Sequence, residues 1–223
     1  MSDSGGPPED RGAPVRVRKR YLRPGDEPVS LWNVPNLITI VRLLLTPVFL
    51  ILLLADTGAD GAGRIVAGIL FIVLIASDFV DGMIARRNNL VTDFGKIADP
   101  IADKALVGGA LVGLSILGEL WWWVTIVILV REVGITIWRF ASLGDRVIPA
   151  GPLGKIKTWA QAVAISVLLI PLQHLLGDGY LWLGWVLMAV ALLLTVVSGV
   201  EYLLSALRVT RLERHAARAA DGA

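Results

Sequence analysis

The chain has 223 residues, of which 55% are hydrophobic, and its mean hydropathy is +0.69. Repeated apolar runs of about twenty residues exclude an ordinary soluble domain and indicate an integral membrane protein. The formal net charge is only +2, and the lack of cysteine excludes disulfide, thiolate and zinc-finger chemistry.

The first 30 residues differ in composition from the rest, because they are polar and rich in proline, glycine and charge. We predict that residues 1–30 form a disordered, basic cytoplasmic tail. Its run VRVRKRYLR, at residues 15–23, is basic enough to bind anionic headgroups; alternatively, it only sets the membrane topology. Neither end of the chain carries a nucleic-acid-binding module, so we expect no nucleic-acid partner.

Six apolar segments follow this tail, and they predict an all-α integral membrane fold built as a six-transmembrane-helix bundle. The segments cover residues 37–54, 65–84, 100–117, 120–140, 158–175 and 181–207. We assign residues 31–208 to this domain and residues 209–223 to a basic cytoplasmic C-terminal tail. Asp99 and Pro100 resemble an N-cap and the first residue of the third helix. If that helix instead begins before Gly95, Pro100 lies within it.

The basic residues predict the orientation of the bundle. An even number of spans places both termini on one side, together with Arg86, Arg87 and Lys96, whereas the opposite loops contain Arg64 alone. The positive-inside rule therefore makes the termini and the active-site side cytoplasmic. We expect a multi-pass protein of the bacterial plasma (inner) membrane.

The segment SDFVDGMIARRNNLVTDFGKIADPIADK, residues 77–104, places four aspartates at the edges of two apolar segments: Asp78, Asp81, Asp99 and Asp103. Spacings of three and four residues put each pair on one helix face. Two helices joined by a short loop would bring four carboxylates into one space, which suits Mg2+ or Mn2+. Two ions held by shared carboxylates are a recurrent device for displacement at phosphorus. The alternative is that these aspartates pair with nearby bases, namely Arg86, Arg87, Lys96 and Lys104.

Small residues accompany the first aspartate pair. Gly82 and Ala85 lie on the same helical stripe as Asp78 and Asp81, which leaves room for a ligand against the backbone. Arg86 follows and can bind a phosphate bidentately. Close helix packing is the alternative reason for the two small residues.

Together these residues form the pattern Asp78-x2-Asp81-Gly82-x2-Ala85-Arg86-x8-Gly95-x3-Asp99-x3-Asp103. The pattern resembles the complete signature of the CDP-alcohol phosphotransferase family, and the resemblance covers roughly residues 32–208. It implies a six-helix membrane enzyme, usually a homodimer, that uses Mg2+ or Mn2+, with two ions expected, to join a CDP-linked alcohol to a second alcohol and release CMP. It also implies four metal ligands (Asp78, Asp81, Asp99 and Asp103), of which Asp103 is the catalytic base, and a CDP site that includes Asp81, Gly82, Ala85, Arg86 and Gly95.

Three blocks outside the signature, residues 33–42, 131–139 and 154–161, resemble the phosphatidylglycerophosphate synthase branch of this family. That branch implies transfer of the phosphatidyl group from CDP-diacylglycerol to glycerol 3-phosphate, within membrane lipid and as a step in phosphatidylglycerol and cardiolipin biosynthesis. Phosphatidylinositol phosphate synthase and cardiolipin synthase are the alternatives within the family. A divalent-cation transporter is the alternative from another class.

Glycerol 3-phosphate is a small dianion and needs a basic pocket. Arg131 and Arg139 are eight residues apart and share a helix face, and Lys155 and Lys157 lie at the predicted cytoplasmic edge. We therefore predict that these four residues bind the acceptor phosphate. The alternatives are an ion pair of Arg131 with Glu132 or an aspartate, and a purely topological role for the lysines.

The first apolar segment carries a polar stripe of Asn36, Thr39 and Arg42. These side chains either contact the CDP diphosphate or form a structural polar seam.

Two further motifs have structural interpretations. The tryptophans at 121–123 predict an aromatic belt at the outer membrane interface. Gly109 and Gly113 permit a close helix contact, in a dimer or within the bundle.

Overall fold

The structure, a computed structural model, describes residues 33–55, 61–87, 92–141, 152–177 and 179–221. Within these ranges every regular element is a helix and no strand is present, which confirms the predicted all-α fold. The predicted tail at residues 1–30 lies outside the described residues.

Six long helices and one short one make up the described chain. They are α1 Val34–Ala55, α2 Ala62–Arg87, α3 Asp93–Ile116, α4 Trp122–Ala141, α5 Pro152–Leu169, α6 Gln173–Leu176 and α7 Gly179–Asp221. Three segments are long and apolar enough to cross a membrane by length and composition: Val34–Ala55, Ala62–Ile84 and Gly179–Ser205. Helix α7 also runs without a break through the predicted domain boundary at residue 208.

Helix α3 begins earlier than the Asp99-Pro100 pair suggests. Thr92 is its N-cap, with an extended backbone, and the Thr92 hydroxyl accepts a 3.0 Å hydrogen bond from the backbone N–H of Gly95. Pro100 therefore lies inside the helix, as in the second of the two predicted starts. This earlier start matters for the site, because it places both Asp99 and Asp103 on regular helix.

The predicted fifth span, residues 158–175, is wrong at its C-terminal end. Helix α5 stops at Leu169, and the single-turn α6 begins only at Gln173. Pro171 explains the break, because proline has no N–H to donate and disfavours helical backbone in the residue before it. The last carbonyls of α5 are bound instead by Arg64, whose Nε donates to Leu169 O at 2.9 Å and whose Nη2 donates to Leu168 O at 3.1 Å.

Arg64 also pairs with Glu119 in the turn between α3 and α4, so one buried guanidinium ties together α2, α5 and that turn. Arg64 lies at the N-terminal end of α2, whereas Asp78 and Asp81 lie near the C-terminal end.

The tryptophans 121–123 are exposed, and the centroid of the Trp121 ring lies 4.9 Å from that of the Trp185 ring.

All six long helices contribute to the core, which is built from buried side chains such as Phe49, Phe71, Leu111, Ile128, Ile165 and Met188. The two predicted contact glycines face α1. A Cβ atom on Gly109 would stand 3.1 Å from Leu50, and one on Gly113 would stand 2.6 Å from Leu53. The close contact therefore lies within the bundle, between α1 and α3.

Candidate active site

The four aspartates lie on two consecutive helices. Asp78 and Asp81 are in the last turns of α2, and Asp99 and Asp103 are in the first half of α3. Asp81 is buried and the other three are partly exposed. Asp78 interacts electrostatically with both Asp99 and Asp103, and Asp81 does so with Asp78 and Asp99. The four carboxylates therefore share one electrostatic neighbourhood.

Helix α1 supplies a cation to this neighbourhood. The guanidinium of Arg42 donates through Nη1 to the Asp78 carboxylate and through Nη2 to the Asp81 carboxylate. Arg42 is only 1% exposed, and its Nε has no hydrogen-bond partner. Arg42 is not among the bases that were predicted as partners of these aspartates. The available signal was an arginine within an apolar segment, aligned with two other polar residues.

The rest of the α1 polar stripe reaches α3. The hydroxyl of Thr39 donates a 2.6 Å hydrogen bond to Asp99 Oδ1. The hydroxyl of Thr92 donates to Asn36 Oδ1 at 2.9 Å, while accepting the bond from Gly95 N–H. Because Asn36, Thr39 and Arg42 are all buried and bonded to α2 or α3, they form a polar seam along the aspartates.

Gly95 lies where this seam is tightest. A Cβ atom at this position would stand 3.1 Å from Asn36 Oδ1, 3.3 Å from Thr92 Oγ1 and 3.7 Å from Asp99 Oδ2. The glycine therefore lets the start of α3 approach α1 closely. Gly82 lies on α2 beside Asp81, and the side chains of Ala85 and Arg86 lie outside the described residues.

The donor chemistry of the site fits a hard divalent cation, because carboxylate oxygens are the ligands that Mg2+ and Mn2+ prefer. Among the described residues, no group of three or more His, Cys, Asp or Glu side chains is arranged so that it could bind one metal ion. One carboxylate oxygen of Asp78 and one of Asp81 are bound by Arg42, which supplies a positive charge beside both. By their chemistry, the four carboxylates fit a divalent cation.

A second charged cluster adjoins the aspartates, and its centre is Glu132 on α4. Glu132 is 5% exposed and accepts from Lys104 Nζ at 2.7 Å, from Arg131 Nη1 at 3.0 Å and from Lys157 Nζ. Lys104 also donates to Asp103 Oδ2 at 3.0 Å. One ammonium group therefore joins the aspartates to the second cluster.

Two of the four predicted acceptor residues meet in this cluster. Lys157 is 3% exposed, so it is a buried ion-pair partner and not a surface charge. Arg131 forms the ion pair with Glu132 that was the alternative interpretation, and its Nη2 also donates to Ser198 Oγ on α7 at 2.9 Å. The side chains of Arg139 and Lys155 lie outside the described residues. The central position of Glu132 was not predicted, although an acid inside an apolar segment was the available signal.

Comparison with known proteins decides the family. The model of the CDP-alcohol phosphatidyltransferase family matches residues 32–197, which include both clusters. The chain belongs to this family. The resemblance seen in the sequence is thus confirmed, and membership of an enzyme family speaks against the transporter alternative. Such enzymes generally depend on a divalent metal. With its long apolar helices and bacterial relatives, the chain is a membrane protein.

Three relatives illustrate the similarity. A probable phosphatidylglycerophosphate synthase of Mycobacterium tuberculosis (strain ATCC 25618 / H37Rv) is 47% identical over 176 residues, covering 79% of this chain and 82% of the relative. The CDP-diacylglycerol--glycerol-3-phosphate 3-phosphatidyltransferase of Bacillus subtilis (strain 168) is 42% identical over 188 residues, covering 77% and 94%. The enzyme of the same name from Rickettsia typhi (strain ATCC VR-144 / Wilmington) is 35% identical over 174 residues, covering 76% and 94%.

Proposed function

We propose that this enzyme transfers the phosphatidyl group of CDP-diacylglycerol to sn-glycerol 3-phosphate, giving phosphatidylglycerophosphate and CMP. The relatives that carry this activity in their names match more than three quarters of the chain at 35–47% identity. Within the structure, the observation that carries the proposal is the Lys104 ammonium, which bonds to both Asp103 and Glu132. It makes an acidic cluster and a basic cluster parts of one site.

The charge of the basic cluster supports a phosphorylated acceptor. Lys104, Arg131 and Lys157 bring three positive charges to the single carboxylate of Glu132, and Lys104 is shared with Asp103. The surplus positive charge suits a small dianion, and Arg139 and Lys155 are assigned to the same role from the sequence. A neutral acceptor would bring no negative charge to balance this surplus.

In the proposed reaction, the 1-hydroxyl oxygen of glycerol 3-phosphate attacks the phosphorus that carries diacylglycerol. The new P–O bond forms as the bond from that phosphorus to the CMP oxygen breaks, and CMP leaves with the bonding electrons. Asp103 accepts the hydroxyl proton as general base. Lys104 holds the Asp103 carboxylate by its 3.0 Å hydrogen bond, which fixes the position of the base.

The four aspartates Asp78, Asp81, Asp99 and Asp103 would hold the divalent cations, which we propose to be two ions of Mg2+ or Mn2+. Such ions supply charge neutralisation for the diphosphate and for the departing CMP. The CDP moiety is assigned to residues beside these aspartates: Asn36, Thr39, Asp81, Gly82, Ala85, Arg86 and Gly95. Thr39 and Asn36 lie beside the proposed metal site, since Thr39 bonds to Asp99 and Asn36 bonds to Thr92, the N-cap of α3.

We further infer a six-span protein of the bacterial inner membrane, with cytoplasmic termini, that acts as a homodimer. The one-sided distribution of basic residues supports this topology. Because the chain has no cysteine, single cysteines introduced before α1 and in the turn at Gly118 can be labelled selectively in whole cells. Labelling of the Gly118 site alone by an impermeant reagent is expected. Mass measurement in detergent tests the dimer.

The activity is tested with purified protein, CDP-diacylglycerol and Mg2+, by following CMP release with three acceptors: glycerol 3-phosphate, inositol 1-phosphate and phosphatidylglycerol. Release with glycerol 3-phosphate alone, and its loss in Asp103→Asn, is the expected result. Release with another acceptor would retain the chemistry and overturn the proposed acceptor. No release with any acceptor, with Mn2+ also tried, would overturn the proposed function.

A further inference from the structure

Three cations from three helices converge on one buried carboxylate. Lys104 comes from α3, Arg131 from α4 and Lys157 from α5, and each donates to Glu132. Like charges held this close repel one another, and a buried ammonium without a partner is costly. Glu132 offsets both effects, because its charge attracts all three groups and its two oxygens accept their hydrogen bonds.

Helix α7 holds Arg131 from the other side. Ser198 Oγ accepts from Arg131 Nη2 at 2.9 Å, and Gly199 lets the arginine lie against the helix, since a Cβ there would stand 3.1 Å from Arg131 Cγ. One donor of this guanidinium, Nε, is buried and has no hydrogen-bond partner. Arg131 is therefore held between Glu132 and α7, although its guanidinium is not fully paired.

The cluster is also connected to the proposed base. Lys104 uses one ammonium to reach Glu132 Oε2 at 2.7 Å and Asp103 Oδ2 at 3.0 Å. A displacement of Glu132 would therefore be passed to Lys104, and from there to the carboxylate that accepts the acceptor's proton.

From these contacts we propose that Glu132 is a positioning residue, which gathers Lys104, Arg131 and Lys157 around the acceptor phosphate and, through Lys104, aligns Asp103 with the acceptor hydroxyl. This inference rests on the proposed function. It adds that acceptor binding and base position are coupled through one carboxylate, so that an acceptor without a phosphate cannot order the site. Glu132 itself needs no contact with either substrate.

The test is the Glu132→Gln variant, which keeps the shape of the side chain and removes its charge. We expect the KM for glycerol 3-phosphate to rise at least about tenfold and kcat to fall, because a buried charge pair is broken. The KM for CDP-diacylglycerol should change less than about twofold, since the described contacts of Glu132 include none of the described side chains assigned to CDP. Glu132→Asp, which keeps the charge, should recover part of the loss in acceptor KM.

The chain provides a matched control in Glu119→Gln, which neutralises a glutamate paired with Arg64 at the other end of the bundle. The KM of Glu119→Gln for glycerol 3-phosphate should equal that of the unchanged enzyme, even if the substitution lowers the unfolding temperature. Ser198→Ala, which removes one anchor of Arg131, should raise the acceptor KM alone, by a smaller factor. An unchanged or lowered acceptor KM in Glu132→Gln would overturn the inference, as would equal effects on both substrates. Failure of the unchanged enzyme to use glycerol 3-phosphate would instead overturn the proposed function, and this inference with it.

Discussion

Arg42 on α1 donates to the carboxylate of Asp81 on α2, and both side chains are almost completely buried, with exposures of 1% and 3%. A buried ion pair of this kind is costly to break by removing one partner, at roughly 3–5 kcal/mol. The pair also joins a helix without signature residues to one of the proposed metal ligands. Arg42 therefore supplies a buried positive charge to the acidic cluster.

The Arg42→Gln variant should depend on metal for its stability. Removal of the guanidinium leaves Asp78 and Asp81 without their cation, so the unfolding temperature measured in EDTA should fall. Added Mn2+ should then raise the unfolding temperature of this variant more than that of the unchanged protein, because Arg42 no longer competes with the ion for Asp78 and Asp81. An ion that binds only the folded state raises the stability of that state.

Arg64→Gln is the control for this experiment, since it removes another buried arginine at the opposite end of α2. It should lower the unfolding temperature without increasing the response to Mn2+. Equal Mn2+ responses in Arg42→Gln and the unchanged protein would show that Arg42 does not compete with the ion.

Asp103→Asn should remove turnover while leaving the fold intact. The amide is nearly the same size and can still accept from Lys104, but it cannot take up a proton. We expect kcat to fall about 10²–10⁴-fold, which is the usual contribution of a general base. Measurement of CMP release gives kcat, and the unfolding temperature in detergent checks the fold. A variant with more than a tenth of the original kcat would exclude Asp103 as the base.

Gly95→Ala should disturb the contact between α1 and α3 at the site. The added methyl group would stand 3.1 Å from Asn36 Oδ1 and 3.3 Å from Thr92 Oγ1, so these groups or the start of α3 must shift. We expect loss of CMP release together with a lower unfolding temperature.

Gly134→Ala in α4 is the control for Gly95→Ala, because a Cβ atom at Gly134 would meet nothing within 4 Å. Alanine is favoured over glycine in a helix interior by about 1 kcal/mol, so this variant should be as stable as the unchanged protein or more so. A Gly95→Ala enzyme as active as Gly134→Ala would contradict the tight packing described at the site.

Gly113→Ala should weaken the bundle and leave the oligomeric state unchanged. The methyl group would come within 2.6 Å of Leu53, a fully buried side chain, and overpacking of this kind costs about 1–3 kcal/mol. Unfolding temperature and mass in detergent are the two measurements. A change in mass without a change in stability would mean that the glycine serves a contact between copies of the chain.

The sequence predicts the aspartate site better than it predicts the partners of that site. Spacings of three and four residues place each aspartate pair on one helix face whatever the rest of the chain does. The pairing of Arg42 with Asp78 and Asp81 depends instead on which face of α1 meets α2, and spacing within α1 does not determine that. The same holds for two of the three partners of Glu132, which are 25 and 28 positions away in sequence, whereas the third, Arg131, is its neighbour in sequence.

Sequence hydrophobicity also predicts some helix boundaries well and others poorly. Hydrophobicity locates α1, α2 and α4 closely, because these helices coincide with continuous apolar runs. It also locates the start of α7, but it ends this helix at residue 207, because the polar residues that follow continue the helix to Asp221 without adding to the apolar run. It places the start of α3 too late, because the first turns of this helix are polar and are fixed by the Thr92 cap. It also extends α5 through Pro171, because apolar residues continue on both sides of the proline although the helix does not.

Helix α7 has 43 residues, which corresponds to a length of about 65 Å. Its apolar part, Gly179–Ser205, is already sufficient to cross a hydrocarbon layer of about 30 Å. The remaining residues, 206–221, continue the same helix for about 24 Å more. A fluorophore attached at Asp221 would therefore stand about 24 Å along the helix axis from the apolar part, and its distance from a second label at Ser205 would test whether the helix continues.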